Sequence, residues 1–195
     1  MTQLESVLRR AVASLVDAGA RIALVGGLAV SVRTEPRFTR DADLVVAVAD
    51  DREAENLVRQ LQSDGYGVTA LIEQEALRRL ATVRLKPPQS ADVSVIDLLF
   101  ASSGIEAEIV ADAELIELLP ALTVPVARVG HLIALKVLAR DDLERPQDLI
   151  DLRALLKDAA PADLELARHA ITLITSRGYH RDRDLARALD DLHIP

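Results

Sequence analysis

The chain has 195 residues, 50% of them hydrophobic, a formal net charge of −8 and no cysteine. These values provide for a sizeable core, exclude disulfides and thiolate metal sites, and argue against a surface that coats nucleic acid. Aromatic residues make up only 2%, so the core must be aliphatic, and base stacking on the protein is disfavoured. Without a signal peptide or an apolar run of about 18 residues, we expect a cytoplasmic protein with no membrane partner.

The first 127 residues alternate between helical and extended patterns. Apolar residues at helical spacing predict a helix over 3–18, and a helix start is predicted over 28–32. Asp50 and Glu53 resemble a capping box for a helix that ends near Gln62. A short helix is predicted over 73–80, while 105–118 have mixed character and stay unassigned. Apolar, β-prone runs predict strands over 21–25, 42–48, 68–72, 82–86, 92–99 and 123–127.

The pattern changes after Val129, where strand signals end. Pro146 and Pro161 stand where first-turn prolines are expected. Helices are predicted over 131–140, 146–157, 161–177 and 181–192. The sequence therefore predicts an α/β (α+β) fold, with a small mixed β-sheet core and helices followed by a C-terminal helical bundle. The corresponding domains are residues 1–127 and 128–195.

Two glycines, Gly26 and Gly27, end the first hydrophobic run and lead into a helix start. A strand that enters a helix in this way directs free backbone N–H groups outward, where the helix dipole also favours an anion such as phosphate. Glycine lets the backbone approach such a ligand closely. The alternative is an ordinary tight turn between a strand and a helix.

Asp41 and Asp43 stand at the start of the strand predicted over 42–48. Residues two apart on a strand point to the same face, and neighbouring carboxylates on an apolar strand repel each other unless a cation compensates them. Mg²⁺ prefers such oxygen ligands together with substrate phosphates. Arg37 and Arg40 flank the pair and could contact those phosphates. Alternatively, the carboxylates are solvated and these two arginines neutralise them.

Asp97 is a lone carboxylate in an apolar strand. If that strand lies beside the 42–48 strand, Asp97 joins Asp41 and Asp43. Three such carboxylates can hold two divalent ions, Mg²⁺ or alternatively Mn²⁺, for in-line phosphoryl displacement. Asp97 would then help to lower the pKa of the attacking hydroxyl. The alternative, a strand-end aspartate that caps a turn, is weaker because an apolar run follows it.

Lys136 lies in a predicted helix that is apolar on nearly all sides, and only three of the 23 basic residues are lysines. A lysine in such a helix must extend to solvent or meet an anion, and its compact charge suits a triphosphate. The alternative is a simple ion pair with Asp148 or Asp151. Asp148 could orient Lys136, bind the acceptor substrate, or only interact with the helix dipole.

Two groups of basic residues are candidates for contact with RNA, and solvated surface is the alternative for both. The first group lies near the predicted sheet and comprises Arg78, Arg79, Arg84 and Lys86. The second group lies near the C-terminus and comprises Arg177, His180, Arg181, Arg183 and Arg187.

Taken together, these motifs resemble one protein superfamily. Gly26-Gly27, Asp41-Ala-Asp43 and the later Asp97 follow the pattern of the DNA polymerase β-like nucleotidyltransferases. The segments Arg37-Phe-Thr-Arg-Asp-Ala-Asp43 and Val95-Ile-Asp97-Leu-Leu-Phe look most like its AbiEii type, and Lys136 and Asp148 match the later motifs. The resemblance covers roughly residues 20–157. One departure is Gly27, where many superfamily members have a serine whose hydroxyl can bind phosphate.

The resemblance implies a metal-dependent enzyme that moves a nucleoside monophosphate from an NTP to an acceptor hydroxyl, as the toxin of a type IV toxin–antitoxin system. It implies the tRNA 3′ end as acceptor and a cognate antitoxin protein as partner. The implied catalytic residues are Asp41, Asp43, Asp97, Lys136 and Asp148, the first three as Mg²⁺ ligands. The implied nucleotide-binding residues are Gly26, Gly27, Arg37, Arg40 and Lys136. The alternatives are an antibiotic-type enzyme with a small-molecule acceptor and a non-catalytic module that binds a nucleotide or a partner.

Overall fold

The computed structural model describes residues 3–37, 39, 41–74, 77–88, 95–141 and 143–192. Within these ranges the chain forms one mixed sheet of seven strands and eight α-helices. The predicted α/β (α+β) fold is therefore confirmed, while its division into two domains stays a prediction. No helix in the described ranges is long and apolar enough to cross a membrane.

The sheet has the strand order β3-β4-β5-β2-β1-β7-β6. Its strands are β1 (Arg21–Val25), β2 (Ala42–Ala47), β3 (Gly67–Gln74), β4 (Arg79–Lys86), β5 (Ile96–Leu99), β6 (Glu114–Leu119) and β7 (Leu122–Val126). β2 is parallel to β5 and β1 is parallel to β7, whereas the other neighbours are antiparallel. The central strands β1, β2 and β5 are almost entirely buried, which explains why they are continuous apolar runs in the sequence.

The helices are α1 (Gln3–Asp17), α2 (Gly26–Arg33), α3 (Asp51–Ser63), α4 (Glu106–Ala111), α5 (Val129–Ala139), α6 (Pro146–Lys157), α7 (Pro161–Ser176) and α8 (Leu185–Asp190). α5 is apolar on nearly all sides because it packs against α6, α7 and α8 at once. α5 and α6 also contact α2. This packing brings the C-terminal helices to the glycine turn at the end of β1.

The core is aliphatic, as the composition requires. Its largest fully buried side chains are all leucine or isoleucine, and three of the four Phe and Tyr residues are buried beside them. Asp50 caps α3 by accepting the N–H of Glu53 (2.9 Å). The Glu53 carboxylate accepts the N–H of Ala49 (2.7 Å), one residue before the position that a capping box requires.

Two helix predictions are wrong. The described residues among 73–80 belong to the end of β3, a turn and the start of β4, where Glu73 pairs with Leu80 in an antiparallel hairpin. The helix predicted over 181–192 is only α8, because Arg181 and Asp182 have left-handed φ angles of 53° and 55° that a right-handed helix excludes. The unassigned stretch 105–118 contains α4 and most of β6. Residues 92–94 of the strand predicted over 92–99 lie outside the described residues.

Candidate active site

Four adjacent strands place four residues in one row across the sheet. Val25 of β1 pairs with Asp43 of β2, Asp43 pairs with Asp97 of β5, and Asp97 pairs with Arg84 of β4. Residues paired across neighbouring strands point to the same face. The prediction that the Asp97 strand lies beside the 42–48 strand is therefore confirmed, and two carboxylates are neighbours on one face of the sheet.

Gly26 borders this row and leaves room for Asp43. It is the first residue of α2, directly after β1, and its φ angle is +64°. A Cβ atom at this position would overlap Oδ2, Cγ and Cβ of Asp43. Both the backbone conformation and the close approach therefore require glycine.

The start of α2 offers backbone N–H donors beside the carboxylates. Val25, its N-cap residue, provides no side-chain acceptor for them. Gly27 follows, and a Cβ on it would lie 2.6 Å from an Nη atom of Arg37. Arg37 thus lies directly against the turn.

Asp43 has an unusual protonation equilibrium. Desolvation by burial and the charge of Asp97 raise its pKa from 3.8 to about 6, and Asp41 adds to this effect. The charges of Lys136 and Arg145 oppose the shift. The pKa of Asp43 therefore responds both to the neighbouring carboxylates and to the nearby cations. A further cation bound beside Asp43 would lower this pKa.

Asp97 is held by Arg84. The Nε atom of Arg84 donates to Oδ1 (2.8 Å) and an Nη atom donates to Oδ2 (2.7 Å), which makes a two-point ion pair. The hydrogen bond to Asp97 raises the pKa of the Arg84 guanidinium, and the charges of Asp97, Asp41 and Asp43 raise it further against the opposing effect of desolvation. Arg84 is thus close to all three predicted carboxylates.

Lys136 connects α5 to two aspartates of α6. Its Nζ atom lies 2.6 Å from Oδ1 of Asp148 and 2.8 Å from Oδ2 of Asp151. All three residues are buried, with 9%, 2% and 1% of their surfaces exposed. The alternative that Lys136 pairs with these aspartates is therefore confirmed. Because Lys136 also acts on the pKa of Asp43, this pairing and a role at the site are compatible.

Arginines on both sides complete this buried ion pair. Arg37 donates from Nε and Nη to the two oxygens of Asp151, both at 2.8 Å, and the Nε atom of Arg145 lies 2.9 Å from Oδ2 of Asp148. Burial alone raises the pKa of Asp151, but hydrogen bonds from Arg37, Lys136 and Gln147 hold it below its usual value. The three cations and two carboxylates leave a net charge of about +1.

The predicted metal ligands are only partly assembled. Asp41 lies directly before β2 and is half-buried, and within the described residues no three His, Asp or Glu side chains are arranged to hold a metal ion. One physical reason is that both oxygens of Asp97 accept hydrogen bonds from Arg84. Arg40 lies outside the described residues. The metal set and the catalytic roles therefore stay predictions.

Sequence reasoning missed the roles of Arg84 and Arg145. Arg84 was one of four basic residues near the sheet, and its strand alternation places it on the same face as Thr82 and Lys86. The signal that could have singled it out is the antiparallel register of β4 with β5, which joins it to Asp97. Arg145 directly precedes the proline of α6, so its closeness to Asp148 follows from the helix start.

A comparison with protein families gives one match over most of the chain. The sequence profile described as "Nucleotidyl transferase AbiEii toxin, Type IV TA system" matches residues 6–193. No curated protein matches the chain.

Among solved structures, an antigenic nucleotidyltransferase-like protein from Paracoccidioides brasiliensis shares 19% identity, with 96% of this chain and 92% of that chain covered and a TM-score of 0.57. ANT(2″)-Ia in complex with adenylyl-2″-tobramycin shares 15%, with 91% and 99% covered and a TM-score of 0.58. The lincosamide antibiotic adenylyltransferase LnuA shares 14%, with 82% and 99% covered and a TM-score of 0.50. At these identities the likeness concerns the fold alone.

The sheet, the acidic row and the glycine turn thus occur in a fold of the nucleotidyltransferase class. The profile match spans almost the whole sequence, and the chain belongs to the AbiEii family of nucleotidyltransferase toxins.

Proposed function

We propose that this protein is a Mg²⁺-dependent nucleotidyltransferase that moves a nucleoside monophosphate from an NTP to an acceptor hydroxyl. The observation that carries the proposal is the pairing of Asp43 with Asp97 beside the free N-terminus of α2. Acidic side chains and phosphate-binding N–H groups meet there, as transfer of a nucleotide requires. Family membership supports the same class of reaction.

The donor set fits a divalent metal ion. Asp41, Asp43 and Asp97 offer only carboxylate oxygens, which Mg²⁺ prefers and Mn²⁺ accepts. The raised pKa of Asp43, which comes from burial first and from the charge of Asp97 second, supports a cation at this position, because a cation would favour the charged form. Two bound ions would supply Lewis-acid stabilisation of the charge that develops on the transferred phosphoryl group and on the leaving pyrophosphate.

The chain's own groups have distinct roles in the proposal. The N–H groups at Gly26 and Gly27, together with Arg37, Arg40 and Lys136, bind the phosphates of the NTP. Asp97 helps to lower the pKa of the attacking acceptor hydroxyl. Arg84 holds Asp97 in place through its two-point contact. Asp148 acts through Lys136, whose ammonium group it orients at 2.6 Å.

Lys136 can stabilise the triphosphate electrostatically while its ion pairs with Asp148 and Asp151 stay intact. Arg37, Lys136 and Arg145 outnumber Asp148 and Asp151 by one charge, and the charges of Lys136 and Arg145 both act on Asp43. The buried ion pair therefore presents a positive potential to the carboxylate row. A positive potential at that position stabilises the negative charge of the triphosphate.

For the acceptor we propose the 3′ end of tRNA, and for the partner a cognate antitoxin protein, in keeping with the type IV toxin–antitoxin family. A small-molecule acceptor is the second candidate, because the fold is shared with ANT(2″)-Ia and LnuA. A non-catalytic module is disfavoured, since Asp43, a carboxylate with a raised pKa next to Asp97, is costly to keep without a ligand.

The test is transfer of label from each of the four α-³²P-labelled NTPs to bulk tRNA in the presence of Mg²⁺. The proposal expects labelled RNA and released pyrophosphate with at least one NTP, and no labelled RNA after EDTA treatment or with Asp41→Asn. Parallel reactions contain tobramycin or lincomycin in place of tRNA, and others contain γ-labelled NTP. Labelled antibiotic would favour the second candidate, and transfer of γ-label would indicate a kinase. No transfer to any acceptor would contradict the proposal.

A further inference from the structure

We infer that Arg145, Arg181 and Arg183, here called the arginine cluster, bind phosphate groups of the acceptor RNA backbone. The inference deepens the proposed function and rests on it, because it concerns the nucleic acid that accepts the nucleotide. It assigns the anchoring of that substrate to residues of the segment between α7 and α8 and to the N-cap of α6.

The cluster is built on fixed backbone. An Nη atom of Arg183 donates to the carbonyl oxygens of Leu138 (3.1 Å) and Arg140 (3.0 Å), at the C-terminal end of α5. Arg145 is the N-cap residue of α6, and its Nε atom lies 2.9 Å from Oδ2 of Asp148. The guanidinium of Arg145 is otherwise open to solvent, because 59% of its side chain is exposed. Two of the three arginines are thus held in place before a ligand binds.

Arg181 is the member without a partner. It is exposed, it has a left-handed φ of 53°, and within the described residues it makes no hydrogen bond or ion pair. Local desolvation lowers the pKa of its guanidinium, and the charges of Arg145 and Arg183 lower it further. No carboxylate among the described residues opposes this effect. Arg181 lies in the turn closed by the bond from Arg183 N–H to the His180 carbonyl, and Arg183 attaches this turn to the end of α5, from which a short connection leads to Arg145. The three like charges therefore lie in one region without an acid to neutralise Arg181, which is the arrangement of an anion site.

The cluster adjoins the active site. Arg145 contacts Asp148, Asp148 contacts Lys136, and the charges of Lys136 and Arg145 both lower the pKa of Asp43. An RNA backbone on the cluster would thus lie next to the carboxylate row, where its terminal hydroxyl must react. In the proposed function the phosphates of the NTP have their own donors, the backbone N–H groups at Gly26 and Gly27, directly after the Val25–Asp43 pair.

The charge of the cluster discriminates between the two acceptor classes. An aminoglycoside is a polycation, and three arginines next to the reaction centre would repel it. RNA is a polyanion whose affinity for proteins comes largely from arginine and lysine contacts to phosphate. Because the chain as a whole has a net charge of −8, this positive cluster is a local feature and does not reflect a generally basic surface.

The other arginines of the C-terminal basic group are neutralised. An Nη atom of Arg177 lies 2.6 Å from Oε1 of Glu108, and Nε of Arg187 lies 3.8 Å from Oδ2 of Asp191. Asp184, close in sequence to the cluster, accepts the N–H of Arg187 and caps α8. Arg187 is therefore a matched control, an exposed arginine of the same region with an acidic neighbour.

The experiment measures binding of a 5′-fluorescein-labelled tRNA transcript by anisotropy, without nucleotide, over a series of potassium chloride concentrations. We expect Arg181→Gln to weaken binding about three- to tenfold and to reduce the slope of log Kd against log salt by roughly one. Arg187→Gln should change Kd by less than about twofold. Arg181→Lys should retain most of the affinity, because it keeps the charge. Circular dichroism verifies that every variant is folded.

Three results would overturn the inference: no RNA binding by the wild-type protein, unchanged binding by Arg181→Gln, or equal losses in Arg181→Gln and Arg187→Gln. Equal losses would mean that binding follows net charge and not the cluster. Because binding is measured without transfer, a protein that binds RNA through Arg181 but transfers no nucleotide would count against the proposed function alone.

Discussion

Asp43 and Asp97 occupy paired positions on the parallel strands β2 and β5, so their carboxyl groups are neighbours on one face of the sheet. Arg84 binds both oxygens of Asp97, whereas the pKa of Asp43 is raised to about 6. The protein itself therefore only partly offsets the burial of Asp43 and its repulsion by Asp97. The first two predictions concern this difference between Asp43, whose pKa is raised, and Asp97, which Arg84 binds.

The first prediction concerns Asp43→Asn and pH. Because the pKa of Asp43 is raised from 3.8 to about 6, the folded protein binds this proton more tightly than the unfolded chain does. The resulting stability is fully present below about pH 4 and is lost as the pH rises through about 6. In EDTA near pH 8, Asp43→Asn should therefore be more stable than wild type by about 2–3 kcal/mol, with little difference near pH 4. Urea denaturation at both pH values measures this, and a pH-independent difference would contradict it.

The second prediction concerns Arg84→Met. Without the guanidinium, Asp97 is left buried beside Asp43 and uncompensated, and the metal-free protein should lose about 1–2 kcal/mol of stability. The estimate is modest because 45% of the Arg84 side chain is exposed to solvent. Adding Mg²⁺ should then raise the melting temperature of Arg84→Met more than that of wild type, since the ion replaces the missing charge.

Arg84→Lys is the matched control, because it keeps the charge and loses the two-point contact. Its stability and its response to Mg²⁺ should lie between those of wild type and Arg84→Met. Equal Mg²⁺-induced shifts of the melting temperature in all three proteins would show that Arg84 does not compensate a metal-binding carboxylate.

The third prediction concerns Lys136→Met. Removing the ammonium group takes the closest cation from Oδ1 of the buried Asp148 and a second cation from the buried Asp151, which should cost about 3–5 kcal/mol in the free energy of unfolding. The double variant with Asp148→Asn should recover part of the loss, because one of the stranded charges is gone. Lys157→Met, at an exposed lysine of α6, should change stability by less than about 0.5 kcal/mol. Urea denaturation compares these variants and the single Asp148→Asn variant with wild type, and additive effects of Lys136→Met and Asp148→Asn would rule out the coupling.

The fourth prediction contrasts Gly26→Ala with Gly27→Ala. At Gly26 a methyl group would meet the carboxylate and Cβ of Asp43, and the φ of +64° is unfavourable for alanine, so the loss should be about 2 kcal/mol or more. At Gly27 the methyl group would meet the end of the flexible Arg37 side chain, which can shift, so the loss should be below about 1 kcal/mol. Thermal melting measures both, and the reverse order would contradict the account of the turn.

The predictability of this fold follows the strength of local patterns. The buried strands β1 and β2 and helix α6 were predicted to within a residue at each end, because apolar runs and a first-turn proline mark them directly. The strands predicted over 68–72 and 82–86 lie within β3 and β4, and only the turn end of this hairpin was mistaken for a helix over 73–80, where its described residues are exposed or half-buried and show no clear period of two. The short α8 depends on two left-handed residues, Arg181 and Asp182, which no local pattern marks.

For the site, the sequence indicates the charged residues themselves but not the partners that they contact. Residue type and chain position indicated Asp41, Asp43, Asp97 and Lys136, because a charge in an apolar segment needs a partner. Which partner each one has is a matter of register between segments far apart in sequence. The pairing of Arg84 with Asp97 depends on the β4–β5 register, and that of Arg37 with Asp151 spans 114 positions of the chain. Such contacts cannot be read from spacing alone.

The central claim is that the Asp43–Asp97 row is the catalytic centre for nucleotidyl transfer. The most direct measurement is the rate of α-³²P transfer from an NTP to tRNA by wild type, by Asp43→Asn and by Asp64→Asn, an exposed aspartate after α3 that serves as control. The account predicts equal rates for wild type and Asp64→Asn and a loss of about 10³-fold for Asp43→Asn, because several kcal/mol of charge stabilisation is removed. An Asp43→Asn protein that is folded and transfers nucleotide at the wild-type rate would contradict it.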